Sequence, residues 1–191
     1  MIEVLASANN PTGSGGDAEA ISFFAAQWVI LLAGATIHWL LDRRRHGPRD
    51  GRGVELYLLW VLVFGGAWAI YGGIGHISGI SDQLAESIGY TQSMFQWEVG
   101  WGDIALGVLG VGCAWTALRG HWMTAAVVVL AVQFGGDAIG HIMQWTANDN
   151  TAPDNVWAIP SDIAQPLLAI ALLLAYRRGP RGSLDVRAAN A

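Results

Sequence analysis

Long apolar stretches alternate with short polar ones along most of this chain. Five stretches have the roughly 20 mostly apolar residues that an α-helix needs to cross the ~30 Å hydrocarbon layer of a bilayer. They cover residues 20–41, 54–77, 96–118, 122–145 and 156–176. Pro160 and Pro166 interrupt the start of the last stretch, and Pro166 is expected to kink or delay that helix because proline lacks a backbone donor. The pattern predicts an all-α integral membrane bundle with five transmembrane helices.

The two ends of the chain lack this apolar pattern. Residues 1–19 are rich in Asn, Gly and Ser, and we expect them to form a flexible extracytoplasmic tail. Residues 179–191 are expected to form a cytoplasmic tail, which leaves residues 20–178 as the bundle. Between the second and third stretches, Ser81 and Asp82 predict the start of a short helix that Gly89 closes.

The basic residues predict the orientation of the bundle. All ten are arginines: five lie between the first and second stretches, one between the third and fourth, and four after the fifth. The intervening regions have no Arg or Lys and carry acidic residues instead. Because loops rich in arginine stay in the cytoplasm, this alternation predicts an outer N-terminus and a cytoplasmic C-terminus in a bacterial inner membrane.

Composition agrees with a lipid environment. The chain of 191 residues is 53% apolar and 13% charged, whereas an ordinary soluble domain is about 25% charged. Its net charge is −5 and its arginines sit in short blocks, so no nucleic-acid partner is predicted. The predicted partner is the lipid bilayer, with a membrane protein partner or a second copy of the chain as further possibilities.

Ionisable residues inside the predicted spans are candidate functional groups, because charges within a membrane are costly. Four of them form the primary candidate site: His76, Glu98, Asp137 and His141. A secondary set consists of Asp103, Asp162, Gln133 and Gln144. Helix rise places His76, Glu98, His141 and Asp162 near the outer end of the spans, with Asp103 and Asp137 about 10–12 Å from the outer boundary.

Helical spacing predicts that these residues converge. Gln133, Asp137, His141 and Gln144 follow one another at +4, +4 and +3, so they share one face of the fourth span. The second and third spans each have a narrow face of small residues that also carries an ionisable group: Gly65, Ala69, Gly72 and His76 on the second, and Gly100, Asp103, Gly107 and Gly110 on the third. Small residues let helices approach closely in lipid, so the second, third and fourth spans are expected to pack together there.

Three classes of function fit this cluster. Two imidazoles with carboxylates suit a divalent transition metal such as Zn, Fe or Mn, which predicts a metalloenzyme or a redox partner. The same groups suit a proton relay, which predicts a proton-coupled transporter. Polar side chains also hold helices together, so a structural or accessory subunit of a larger membrane complex is the third hypothesis.

Several stretches of the chain resemble a family of small bacterial multi-pass membrane proteins of unknown function. They are GHISGISDQLAESIGY, FQWEVGWGDIALGVLG, GGDAIGHIMQW and DIAQPLLAIALLL, of which the FQWEVG element is the most specific. The resemblance implies a membrane bundle and assigns no activity. A looser likeness at the level of the fold connects the chain to DoxX-type membrane proteins, some of which are quinone-linked redox subunits.

Overall fold

The computed structural model describes residues 14–179, and within these residues it contains six α-helices and no β-strand. The prediction of an all-helical fold is therefore confirmed for this part of the chain. A 3₁₀ turn at Thr116–Leu118 precedes the fifth helix. The helices are α1 (Ser14–His46), α2 (Arg52–Ile77), α3 (Ser81–Ser87), α4 (Phe95–Gly112), α5 (His121–Ala147) and α6 (Pro153–Arg178).

Four of these helices, α1, α2, α5 and α6, are long and apolar enough to cross a membrane. The predicted third span corresponds to α4, which has 18 residues and ends at Gly112 rather than at residue 118. Its first half carries Gln96, Glu98 and Asp103, which lower its hydropathy below that of the other four helices. The count of five spans and the orientation stay predictions.

The long helices run up and down, so the loops gather at two ends. The α1–α2 connection and the start of α5 lie at one end, where Arg119 contacts Glu55 and Arg177 contacts Thr124. All eight arginines between residues 14 and 179 belong to this end. We call it the inner end, and we call the opposite end, where α2 finishes and α4 and α6 begin, the outer end.

Helices α2 and α4 make the closest contact in the bundle, and glycines make it possible. A Cβ atom at Gly73 would lie 2.6 Å from the carbonyl oxygen of Gly100, and one at Gly66 would lie 2.7 Å from that of Gly107. The predicted contact of these two helices through small residues is therefore present. Gly72, on the face of α2 predicted to make the contact, instead has no atom of the described chain within 4 Å of its Cβ position.

Helix α6 packs between α5 and the α1–α2 pair, and it contains both prolines without a break. It begins at Pro153, earlier than predicted, because proline suits the first turn of a helix, where a backbone donor is not needed. Next to α6, helix α2 widens into a π-helical segment at Trp60–Phe64. The buried Gln165 of α6 lies against Gly65, which follows that segment.

A network of buried ion pairs fixes the inner end. Glu55 binds Arg52 at 2.9 Å and Arg119 at 2.8 Å, which ties the start of α2 to the α4–α5 connection. Asp42, at the end of α1, binds Arg49 and Arg52. Both carboxylates are largely buried: the side chain of Glu55 is 4% exposed and that of Asp42 is 8% exposed.

Candidate functional site

The polar face predicted on α5 points into the bundle near the outer end. Asp137 is half-buried there and accepts a long hydrogen bond of 3.4 Å from the side-chain amide of Gln133, one turn earlier. His141, one turn later, has a side chain 15% exposed. Gln144 is half-buried on the same face. The +4, +4 and +3 spacing therefore places these residues as predicted.

His141 is held by Asn155, a fully buried residue in the first turn of α6. The Nδ1 atom of His141 lies 2.8 Å from Oδ1 of Asn155. The amide nitrogen of Asn155 donates to the backbone carbonyls of His141 and Asn150, at 3.2 and 3.1 Å. Those two bonds fix which end of the amide is the oxygen, and an amide oxygen can only accept. Nδ1 of His141 must therefore carry a proton.

The other ring nitrogen of His141 faces a carboxylate. Nε2 lies 3.8 Å from Oδ2 of Asp162 on α6. Because Nδ1 carries the proton of the neutral ring, Nε2 is a proton acceptor. Pro166 lacks the N–H that would serve the backbone carbonyl of Asp162 in a regular helix, which adds a second acceptor at this point of α6.

His76 is held in a similar way by a residue of α4. Nδ1 of His76 contacts Oε1 of the buried Gln96. Glu98, which was predicted to join the site, is exposed. Residues two positions apart on an α-helix point about 200° away from each other around the helix axis. Glu98 therefore faces away from α2 when Gln96 faces it. Gln96 lies on the same face of α4 as Gly100 and Asp103. The +4 and +3 spacing of these three residues is visible in the sequence.

Asp137 lies within electrostatic range of ionisable residues on three other helices, namely His76 of α2, Asp103 of α4 and Asp162 of α6, and of His141 on its own helix. We call these five residues the outer cluster. The structure thus brings together three members of the primary candidate set, without Glu98, and two of the secondary set.

Tyr90 reaches the outer cluster from the connection between α3 and α4. Burial raises the pKa of its phenol, and the negative charge of Asp137 raises it further. The phenol is therefore protonated at neutral pH. A protonated phenol can donate a hydrogen bond.

The geometry of the outer cluster bears on the metal hypothesis. Among residues 14–179, no three His, Cys, Asp or Glu side chains are arranged so that they could hold one metal ion. The cluster has two oriented imidazoles, yet its carboxylates are spread over three helices. Metal binding by His76, Glu98, Asp137 and His141 stays a prediction.

Uncharged polar side chains continue from the outer cluster toward the middle of the bundle. Gln27 of α1 donates a hydrogen bond of 2.9 Å to Gln165 of α6, and both residues are buried. Trp28 donates to the hydroxyl of Ser161, also at 2.9 Å. Ser161 and Gln165 flank Asp162 within one turn of α6. These residues carry no distinctive signal in the sequence, because glutamine and serine are common in such helices as simple helix contacts.

Comparison with family models extends the resemblance of α4, α5 and α6 to most of the chain. One model matches residues 21–182, which include the outer cluster and every residue that contacts it. The chain belongs to DUF6790, a family of unknown function. Comparison with the curated proteins and with the solved structures gives no match. DUF6790 membership therefore assigns no activity, and the likeness to DoxX-type proteins stays a prediction.

Proposed function

We propose that this DUF6790 protein is a multi-pass protein of the bacterial inner membrane that binds protons at the outer cluster and couples them to transport of a solute. The observation that carries the proposal is the grouping of ionisable side chains from four helices: Nε2 of His141 lies 3.8 Å from Asp162, and Asp137 lies within electrostatic range of both, as well as of His76 and Asp103. Ionisable residues grouped within a membrane are typical of proton pathways.

The orientation of His141 supports proton exchange. Asn155 holds its Nδ1–H, so Nε2 is left facing Asp162 as an acceptor. An imidazole beside a carboxylate suits the passage of a proton between them, because one ring nitrogen can accept a proton while the other donates one. The outer connections have no Arg or Lys, so a proton or another cation meets no fixed positive charge there.

A proton path also needs polar groups further inward. The Gln27–Gln165 pair lies at mid-bundle, and the hydroxyls of Thr36 and Tyr57 lie 2.6 Å apart closer to the inner end. Beyond them lies the buried Glu55. These side chains supply hydrogen-bond donors and acceptors along α1, α2 and α6.

A solute-induced proton flux tests this function. Purified protein is reconstituted into liposomes that contain a pH-sensitive dye, and pools of amino acids, sugars, organic acids and organic cations are added outside. We expect at least one pool to acidify the interior with the wild type. Asp137→Asn should abolish that signal, while Asp82→Asn, a matched change at an exposed residue of α3, should leave it unchanged. Acidification that persists in Asp137→Asn would contradict the proposal.

A metal site is the second candidate, and one observation favours it. Both His76 and His141 have one ring nitrogen anchored by an amide oxygen, which is how proteins orient imidazoles that ligate metals. Elemental analysis of the wild type and His141→Ala, purified without chelators, decides this point. About one Zn, Fe or Mn per chain that is lost in the variant would favour a metalloprotein, whereas equal contents would rule against ligation by His141.

A further inference from the structure

A polar cavity of about 160 Å³ opens at the inner end, between the last turn of α1 and the first turn of α2. The residues that line it include Arg43, Arg49, Arg52 and Trp39. One water molecule occupies about 30 Å³ of the liquid, so the cavity has room for a phosphate group.

The charges around this cavity do not cancel. The two carboxylates of Asp42 and Glu55 pair with three guanidinium groups. Arg52 binds both carboxylates, Arg49 binds only Asp42, and Arg119 binds only Glu55. Arg43 adds a further positive charge, and it forms no ion pair with any residue between 14 and 179. Asp50 at the rim offsets one of these charges.

The ring of Trp39 holds Arg43 in place, and the start of α2 makes the electrostatic potential in the cavity more positive. The guanidinium of Arg43 lies 5.7 Å from the centre of the Trp39 ring, and that ring packs against Gly53, where a Cβ would lie 3.2 Å from the indole nitrogen. Helix α2 starts at this cavity after Gly51, whose left-handed backbone supplies no side-chain cap. The positive end of the helix dipole therefore favours an anion here, while the backbone N–H of Arg52 itself donates to the carbonyl of Arg49 at 3.1 Å.

The surroundings of the cavity are those of a membrane interface. Trp39 is of the type that anchors helices at this level, and the exposed Ile37, Leu40 and Leu41 cover the preceding turn of α1. A lipid whose phosphate enters the cavity would lay its acyl chains along these residues. We infer that the cavity binds the phosphate of an anionic phospholipid headgroup, with Arg43, Arg49 and Trp39 as the recognition residues.

Native mass spectrometry of the full chain in detergent tests this inference. Phosphatidylglycerol and phosphatidylcholine are titrated separately against the wild type, Arg43→Gln and Arg178→Gln. Arg178 is an exposed arginine at the same end of the bundle, so its variant has the same charge change away from the cavity. Arg43 is also exposed, so its substitution leaves the fold intact.

We expect phosphatidylglycerol to bind more tightly than phosphatidylcholine. Arg43→Gln should weaken phosphatidylglycerol binding about fivefold, which corresponds to the ~1 kcal/mol that one arginine contributes near an anionic surface. Arg178→Gln should leave it unchanged. Equal weakening by both variants would show attraction to the whole basic surface and overturn the inference. Displacement of phosphatidylglycerol by an equal concentration of inorganic phosphate would overturn it as well, because the ligand would then be the free ion.

Discussion

Substitution of Gly73 by alanine tests the contact between α2 and α4 that brings His76 to Gln96. The new Cβ would lie 2.6 Å from the carbonyl oxygen of Gly100, whereas ordinary van der Waals contact begins at 3.4 Å. The two backbones must therefore separate by about 0.8 Å, because neither atom belongs to a flexible side chain. Overpacking of this kind costs about 1–3 kcal/mol.

The adjacent residue offers a matched control. A Cβ at Gly72 meets no atom of the described chain within 4 Å, so Gly72→Ala adds the same methyl group without a clash. Alanine also favours a helix over glycine by about 1 kcal/mol. We therefore expect Gly72→Ala to be neutral or stabilising and Gly73→Ala to be destabilising.

Reversible unfolding in mixed micelles with increasing denaturing detergent measures both free energies. The same samples can be examined by histidine-selective NMR, because a wider α2–α4 contact should release His76 from Gln96 in Gly73→Ala. Equal stability of the two alanine variants would refute the close approach of α2 and α4.

Two further predictions concern buried polar contacts. Asn155→Ala removes three hydrogen bonds at about 1 kcal/mol each, so we expect unfolding to be easier by about 2–4 kcal/mol and the His141 ring to lose its fixed tautomer. Unfolding and imidazole ¹⁵N shifts measure these effects, and unchanged shifts would contradict the role given to Asn155. Glu55→Gln leaves Arg119 without its carboxylate, at a cost of about 3 kcal/mol, since the arginine is one-fifth exposed. The exposed Glu86→Gln is its control in the same unfolding assay, and equal stability of the two variants would contradict the ion-pair network.

The helical architecture was predictable because long apolar stretches of about 20 residues favour helices. Such stretches mark the four helices that are long and apolar enough to cross a membrane, and the arginines of the described residues gather at one end of the bundle. The extent of α4 was less predictable. Apolar residues continue past Gly112, but the indole of Trp122 donates to the Leu109 carbonyl at 2.8 Å and closes the helix there.

The candidate site, like the fold, was only partly predictable from the sequence. Residues on one helix, such as Asp137 and His141, were found from their spacing, since helical geometry fixes their relative direction. Contacts between helices depend on how each helix is rotated about its axis, and hydropathy alone does not give that rotation. Glu98 was chosen for its charge, whereas the rotation of α4 favours the neutral Gln96. Asn155 was missed because it lies near a predicted helix start, where asparagine is ordinary.

Proton binding at Asp137 is most directly measured by infrared difference spectroscopy of the reconstituted protein as the pH is lowered from neutral to mildly acidic. The proposal predicts a protonated-carboxyl band in the wild type and in Asp82→Asn that is lost or displaced in Asp137→Asn. A spectrum of Asp137→Asn identical to that of the wild type would contradict proton binding at this residue, and with it the proton-coupled function.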